Sequence, residues 1–573
     1  MNAHNRKLNT ALWIGFLLVT VTAALPYINS ISYPFVYDDH GVVTENTYLR
    51  NPAHVRDIVL LRTFRDPQIL DGRRPTVLLS YFADYAISGP VAAGWHITNI
   101  LLHALTAGFF FLLLYRLFNA AGPRHHGIHG LCAAAAVAFA WHPVLIEPVQ
   151  LPAFREDMLC GLGIMLFLLC STPPARTLKF QHYTGAVLGL LIALGAKETG
   201  LTAPLLAAAC WWLIPTLRPR IQDIKKMGGI CLFAVTAYLT VTLTSTTYIQ
   251  GLRGTPFSTT LSFPENLLTM PWLWMRYWAL LLWPHPIAAD YPLPDIPMLS
   301  MHFIIGCLFS AATLWILRVA AKQRPLLAFS LVWMLIMFLP VSNLVPLLNP
   351  MALRYAYLMV PGFVLLIALV LQAAVSRTGR TRSAPIASML LFLIAAAWLV
   401  QTLTQKQQWQ HDHTLWSHTL AVCPQSARAH LWLGVLAKEN GLYDQAEEHY
   451  RKALHIDPEN HRAYINLGIL AGTQRDYPRS EKLLRKAISL RPQSAGAWRN
   501  LGTTLKMQGH IPEAIEAYQK AARLDPWHIP TKLECARLMI HQDRPADAAQ
   551  QLTAILELQP NHPQAREMMN RFF

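Results

Sequence analysis

Pro458-Glu459-Asn460-His461-Arg462-Ala463-Tyr464-Ile465-Asn466-Leu467-Gly468 opens a unit that returns every 34 residues. Pro424, Pro458, Pro492, Pro526 and Pro560 keep that interval. So do Leu433, Leu467 and Leu501; Gly434, Gly468 and Gly502; and Ala453, Ala487 and Ala521. Tyr450 and Tyr518 coincide at a further position. A period of this length, with small residues at fixed offsets and a proline closing each unit, predicts two antiparallel helices per unit stacked into a solenoid. In the fourth unit Cys535 and Ala536 take the Leu-Gly places, as suits a terminal unit. Residues 561–573 read as a capping helix.

Upstream of the solenoid the chain changes character. Over 573 residues it is 53% hydrophobic, with a mean hydropathy of +0.29. That average joins apolar runs up to about Leu403 to charged sequence from Gln405 onward. Windows of about 20 apolar residues span a bilayer as helices. The fold class is therefore all-α, with a polytopic membrane domain at 1–404 and a first outer loop at 34–94. A linker and lead-in helix (405–423) and about four tetratricopeptide-type repeats with their cap (424–573) follow. The net charge of +16 would suit nucleic acid. Many of the Lys and Arg residues, however, sit in short loops between apolar segments, the positive-inside pattern. The bilayer is thus the implied partner, and nucleic acid is excluded. The eight cysteines lack metal-type spacing and predict no disulfide framework. Leu12 to Tyr33 occupies the place of a signal peptide but is long for one and has no clear cleavage site, so it reads as a retained first span.

Arg6 and Lys7 put the N-terminus inside. Further inner loops are marked by Arg116 and Arg124, by Arg176 and Lys179, and by Arg218, Arg220, Lys225 and Lys226. If Leu267 to Trp283 crossed, Arg318, Lys322 and Arg324 would fall outside, as would Arg377, Arg380 and Arg382. That stretch is therefore read as re-entrant or interfacial, leaving about eleven crossings. An odd count places the repeats on the same outer face as the 34–94 loop. Within that loop Val55 to Phe64 reads as an amphipathic helix and Thr76 to Ala86 as a second surface helix.

Ionisable residues at membrane depth are expensive and mark functional sites. Asp38-Asp39, just past the first span, is the leading candidate. Adjacent carboxylates repel and partial burial raises a carboxyl pKa, so one can act as a base while the other holds a substrate or shares a proton. An N-terminal cap or a solvated turn is the alternative. His96, Asn99 and His103 share one helix face and either line a polar cavity or bond between spans. His142, Glu147, Arg155, Glu156 and Asp157 fall at one outer turn, with Lys197-Glu198 and Arg354 at the same level. Arg155, Lys197 and Arg354 are candidates to neutralise a phosphate; salt bridges between spans are the other reading. His125, His126 and His129, and His411 and His413, lack the spacing of a zinc site and read as solvated loop residues, so no metal is expected. Asn466 and Asn500 hold one repeat position and either pair with the backbone of a bound peptide or bridge helices of the solenoid.

Taken in order, the Asp-Asp after the first span, Trp95-His96-x-x-Asn99-x-x-x-His103, His142-Pro143-x-x-x-Glu147, Lys197-Glu198, Arg354-Tyr355-x-Tyr357-Leu358 and the repeats resemble one family. It is that of the transmembrane and tetratricopeptide repeat-containing protein O-mannosyltransferases, of the GT-C class. The resemblance implies an inverting hexosyltransferase that takes a single sugar from a polyprenyl-phosphate donor to Ser or Thr hydroxyls, with no further cofactor. Asp38 would be the base and Asp39 its support. Arg155, Asp157, Lys197, Glu198, Arg354, His96, His142 and Glu147 would serve the donor, and the repeats would bind acceptor polypeptides. Short loops fit a bacterial inner-membrane member with its site and repeats on the periplasmic side. Glu156 and Leu353 depart from the family pattern, where relatives more often carry Ala and Glu. Two rival functions are a non-enzymatic scaffold for envelope assembly and a GT-C enzyme with a glycan or lipid acceptor.

Overall fold

The computed structural model describes residues 3–65, 69, 71–121, 127–173, 177–244, 263–292, 300–345, 347, 349–377 and 383–572. Arg124, His125, His126, Arg176, Arg380 and Arg382, which entered the topology and metal arguments, lie outside them. The described residues form helices, with no strand among them. They divide into two compact units, Met1–His418 and Thr419–Phe573.

In the first unit five helices among the described residues have the length and apolarity to cross a bilayer: Thr10–Ser32, Ala92–Ala121, Ile221–Thr244, Met301–Gln323 and Ser383–Trp409. The pair Ile128–Ala140 and Pro143–Gln150, bent by 49°, makes a sixth if it is one span. Other apolar windows fold as shorter helices, such as Phe180–Ala196, Pro325–Val341 and Val360–Ser376. Proline is one reason, because it removes a backbone donor and breaks the ladder. The stretch from Trp141 to Arg155 is cut at Pro143 and Pro152 into three short turns. All of Leu267 to Trp283 but its last residue lies in one helix, Phe263–Leu282, with Pro271 inside it. Its Trp274 and Tyr277 pack into the unit while Arg276 is exposed midway. An exposed Arg at that depth opposes burying that face in lipid.

The 34–94 loop departs from its expected outline in one place. Val55 to Phe64 is not a single helix: Val55–Val59 ends and a 3-10 turn begins at Arg62, with Leu61 between them at φ 56°. The second surface helix runs Pro75–Ser88 and stops at Gly89, φ 57°. Elsewhere the packing is unusually close. A Cβ on Gly163 would stand 2.6 Å from the Gly189 carbonyl and 2.7 Å from the Ala193 nitrogen. The helices Arg155–Ser171 and Phe180–Ala196 therefore meet backbone to backbone through small residues.

The second unit is a run of helical hairpins. The first helices are Ala427–Glu439, His461–Thr473, Ala495–Met507 and Ile529–His541. The second helices are Tyr443–Ile456, Tyr477–Leu490, Ile511–Leu524 and Pro545–Leu558, and Pro563–Phe572 caps the run. Each first helix starts at the same repeat position. The side chains of Ser426, Asn460, Ser494 and His528 accept from the backbone N–H three residues on and so satisfy an orphan donor. The Leu-Gly pair has an equally local cause. A Cβ on Gly434 would lie 2.5 Å from Tyr450, one on Gly468 2.8 Å from Leu484, and one on Gly502 3.0 Å from Tyr518. Glycine is thus the space into which the second helix presses its large side chain.

Candidate active site

The first helix ends in a 3-10 stretch, Leu25–Ser32, and the chain turns extended at Tyr33. Tyr37 then adopts φ 58°, a conformation a bulky residue takes only when its surroundings enforce it. They do so here. Its N–H donates to Asp412 Oδ1 (2.8 Å), and its ring stands edge-on to Trp416 (4.9 Å) and near Phe154 (6.0 Å). The two carboxylates that follow the kink differ in burial. Asp39 is wholly buried. Its Oδ1 accepts from the Ala153 N–H (2.8 Å) and its Oδ2 from the Val36 N–H (3.3 Å), so it does not cap the turn that follows. Burial pushes its carboxyl up to about 8, against those two N–H groups. Asp38 is partly exposed. Of the pair, it is the more exposed carboxylate.

Five consecutive residues carry this loop into the rest of the site. The Ala153 N–H holds Asp39. Phe154 lies beneath Tyr37 and beneath the Arg354 guanidinium, 4.1 Å above its ring. Arg155 is wholly buried, with Asp84 at 2.5 Å. It also reaches Asn99 Oδ1 (2.7 Å), Ser80 Oγ (3.2 Å) and the Trp95 carbonyl (3.2 Å). Glu156 lies 3.3 Å from Arg74 and 3.9 Å from Lys197. Asp157 accepts from Lys197 Nζ with both oxygens (2.7 and 2.6 Å).

Around this segment the charges are mostly paired. Glu147 grips Arg354 twice, at its Nη1 (2.6 Å) and its backbone N–H (2.8 Å). Lys197 and Arg354 face the Tyr355 ring at 5.2 and 5.1 Å. Arg74 meets Asp71 (3.0 Å), Glu156 (3.3 Å) and, more loosely, the half-exposed Glu198 (4.0 Å). Burial, with Glu156 nearby, holds the Asp71 carboxyl above its ordinary range against the pull of Arg74. Arg74, Lys197 and Arg354 are thus matched against Asp71, Glu147, Glu156, Asp157 and Glu198.

The other predicted residues take structural positions. The buried Arg155 guanidinium makes contacts through Nε, Nη1 and Nη2, with Asp84 its charged partner. His142 accepts from the Val144 N–H at Nδ1 (3.3 Å) and bonds the Leu281 carbonyl through Nε2 (3.0 Å), a cap that fixes its tautomer. His103 bridges Tyr357 Oη and the Ala140 carbonyl (both 3.1 Å), and Asn99 spans Arg155 and the Val149 carbonyl. Both make the interhelical bonds of the alternative reading. His96 is buried against Phe35 beside the acid loop, with the backbone of Tyr33, Pro34 and Gln150 near its ring. Sequence reasoning missed Asp71, Arg74 and Asp84. Their signals were Arg73-Arg74 in an outer loop, against the positive-inside bias, and an acid within an apolar helix.

Beside Arg74 an apolar groove of about 980 Å³ runs between the helices Phe180–Ala196 and Ile221–Thr244. Leu61, Phe64, Val187, Leu191, Phe233 and Tyr238 are among its walls, and Pro75 and Gly195 stand at its edge. In the repeat unit, Asn466 and Asn500 are partly exposed. Neither side chain bonds to another described residue, so the helix-bridging reading finds no contact there.

Tetratricopeptide repeat models match residues 427–460, 465–526 and 505–572. The chain is 24% identical to a protein O-mannosyl-transferase of Caenorhabditis elegans over 77% of its own length and 62% of the relative's. It is 26% identical to protein O-mannosyl-transferase TMTC4 of Mus musculus over 76% of this chain and 65% of that one. For TMTC4 of Homo sapiens the values are 25%, 76% and 65%. The chain spans less than two thirds of the length of these curated relatives. Among solved structures, a crystal structure of MamA aligns with 27% of this chain and 86% of that chain, at 22% identity and a TM-score of 0.23. YrrB, described as a TPR protein with an unusual peptide-binding site, aligns with 30% and 89%, at 18% identity and a TM-score of 0.25. Scores this low carry no structural argument.

Proposed function

We propose that this chain, a relative of the protein O-mannosyl-transferases over three quarters of its length, is a membrane glycosyltransferase. It moves one sugar from a polyprenyl-phosphate donor to Ser or Thr hydroxyls of polypeptides on the periplasmic face. The observation that carries the reading is the division of labour in the Asp38-Asp39 loop. One carboxylate is buried and tied to two backbone N–H groups, and its neighbour is partly exposed.

The acceptor hydroxyl attacks the anomeric carbon as the bond from that carbon to the phosphate oxygen breaks. Asp38 takes the hydroxyl proton. Polyprenyl phosphate leaves with the bonding electron pair, and the anomeric centre inverts. Asp39 does not share the base role, because a carboxyl raised to about 8 is largely protonated at neutral pH. It holds the kink that presents Asp38. The phosphate is received by Arg74, whose contact with Glu198 is the loosest in the cluster, with Lys197 and Arg354 behind it. The apolar groove beside Pro75 suits the polyprenyl tail, and its walls are what a lipid chain requires. Asn466 and Asn500 hold the acceptor backbone through amides that can both donate and accept.

The test is sugar transfer by the full-length protein in lipid nanodiscs, with a panel of polyprenyl-phosphate sugars and periplasmic extract. Asp38→Asn is run beside wild type, and thermal unfolding checks that both are folded. Transfer to protein that vanishes in the folded variant supports the enzyme and its base. Equal transfer in both removes Asp38 from the mechanism, and no transfer with any donor favours the scaffold.

A further inference from the structure

The repeat unit is electrically lopsided. The four second helices carry eight basic and eight acidic residues. The four first helices carry seven basic residues and two acidic ones. One of those two acids, Glu534, is held by Lys506 (2.8 Å) and Arg537 (2.7 Å). The other, Glu439, is the last residue of its helix. In the middle two hairpins the first helices have no acid.

That excess lies where a ligand is expected. In a solenoid of helical hairpins one set of helices lines the inner surface used for binding. Arg462 and Asn466 are four residues apart and share a helix face, and Arg499 adjoins Asn500 on the next first helix. Among the described residues, neither Arg462 nor Arg499 has a carboxylate within ion-pair distance. Arg491 sits beside Arg462, with His461 Nε2 3.5 Å from its guanidinium. Like charges held together without counter-charges repel, and a partner carrying the opposite sign relieves that cost.

We propose that the first-helix surface selects acidic polypeptide segments, so that the acceptors are extended chains with Asp or Glu near the modified hydroxyl. This rests on the reading of the repeats as the acceptor-binding part. Asn466 and Asn500 hold the peptide backbone, and Arg462 and Arg499 take its carboxylates. Neighbouring helices pack about 10 Å apart, about three residues of extended chain, so acids at that spacing fit best.

The experiment uses the full-length protein in zwitterionic nanodiscs and fluorescent Ser/Thr peptides matched in length, with Glu and Asp, or Gln and Asn, at the variable positions. Binding is read by anisotropy at low and high salt, separately from sugar transfer. The acidic peptide is expected to bind about tenfold more tightly than its amide counterpart at low salt, and the preference shrinks at high salt. The double variant Arg462→Gln/Arg499→Gln removes the preference. Asn466→Ala/Asn500→Ala weakens both peptides alike. Equal binding of the two peptides, a preference untouched by the arginine variant, or no binding of either overturns the inference. Transfer without an acidic preference sinks this inference alone, whereas acidic binding without transfer sinks the transferase and leaves the surface.

Discussion

Asp39 shows how far one residue governs the site. Its two oxygens fix Val36 to Ala153, the loop to the segment that carries Arg155, Glu156 and Asp157. Asp39→Asn keeps one acceptor but turns its NH2 toward a backbone N–H. The lost bond is expected to cost about 1–3 kcal/mol in thermal unfolding. The pH dependence follows from the sign of the shift. The folded carboxyl lies near 8, above its unfolded value. Its stabilising contribution is therefore complete below the ordinary carboxyl range and is lost as pH rises through about 8. Asparagine does not titrate, so the stability gap between wild type and Asp39→Asn narrows from about pH 4 to about pH 8. A gap that stayed flat over that range would mean Asp39 is ionised in the fold, and it would reopen Asp39 as the base. The pairing of acids was legible in the sequence. Which of the two is buried was not, because it depends on the Tyr37 kink and on Ala153, more than a hundred residues away.

At the scale of elements, the repeats were readable because each hairpin makes its contacts within one period. The Leu-Gly pair, the caps at Ser426, Asn460 and Ser494, and the closing prolines all act over a few residues. The membrane helices were readable as apolar runs but not in their lengths, since prolines such as Pro143 and Pro152 end helices within runs that hydropathy alone joins. Arg155 was read as a phosphate ligand because its partner Asp84 lies on another element, and spacing cannot pair residues across elements. The glycine contacts make a sharp test. Gly468→Ala sets a Cβ 2.8 Å from Leu484 Cγ, and overpacking of this kind costs about 1–3 kcal/mol. Leu484→Ala alone opens a cavity at a cost of about 2–5 kcal/mol. Because the two side chains meet, the double variant should unfold at a higher temperature than the sum of the single losses predicts. Strict additivity would show that the helices shift apart and that the pair does not set the hairpin spacing.

For the whole molecule the decisive quantity is sidedness, since acceptor delivery requires the repeats and Asp38 to share a face. The last residues of the membrane unit bear on this. Lys406 Nζ donates to the Pro26 carbonyl, Asp412 receives the Tyr37 N–H, and Asp412 Oδ2 meets His40 Nε2 at 2.9 Å. These contacts tie residues 406–412, within the first unit, to the acid loop and the end of the first helix. The Asp412 bond also raises the His40 pKa. This clasp is strongest below the ordinary histidine range and weakens as pH rises through the raised value. Sidedness is measured by placing single cysteines at exposed, weakly paired positions, Arg62→Cys in the outer loop and Glu448→Cys in the repeats. Arg318→Cys serves as the inner control. Each is treated with a membrane-impermeant maleimide before and after permeabilisation, with wild type giving the background of the native thiols. Positions 62 and 448 are expected to label together in intact cells, and position 318 only after permeabilisation. If 448 follows 318, a soluble unit on the far side of the bilayer cannot hand a hydroxyl to Asp38, and the acceptor role of the repeats falls even if sugar transfer survives.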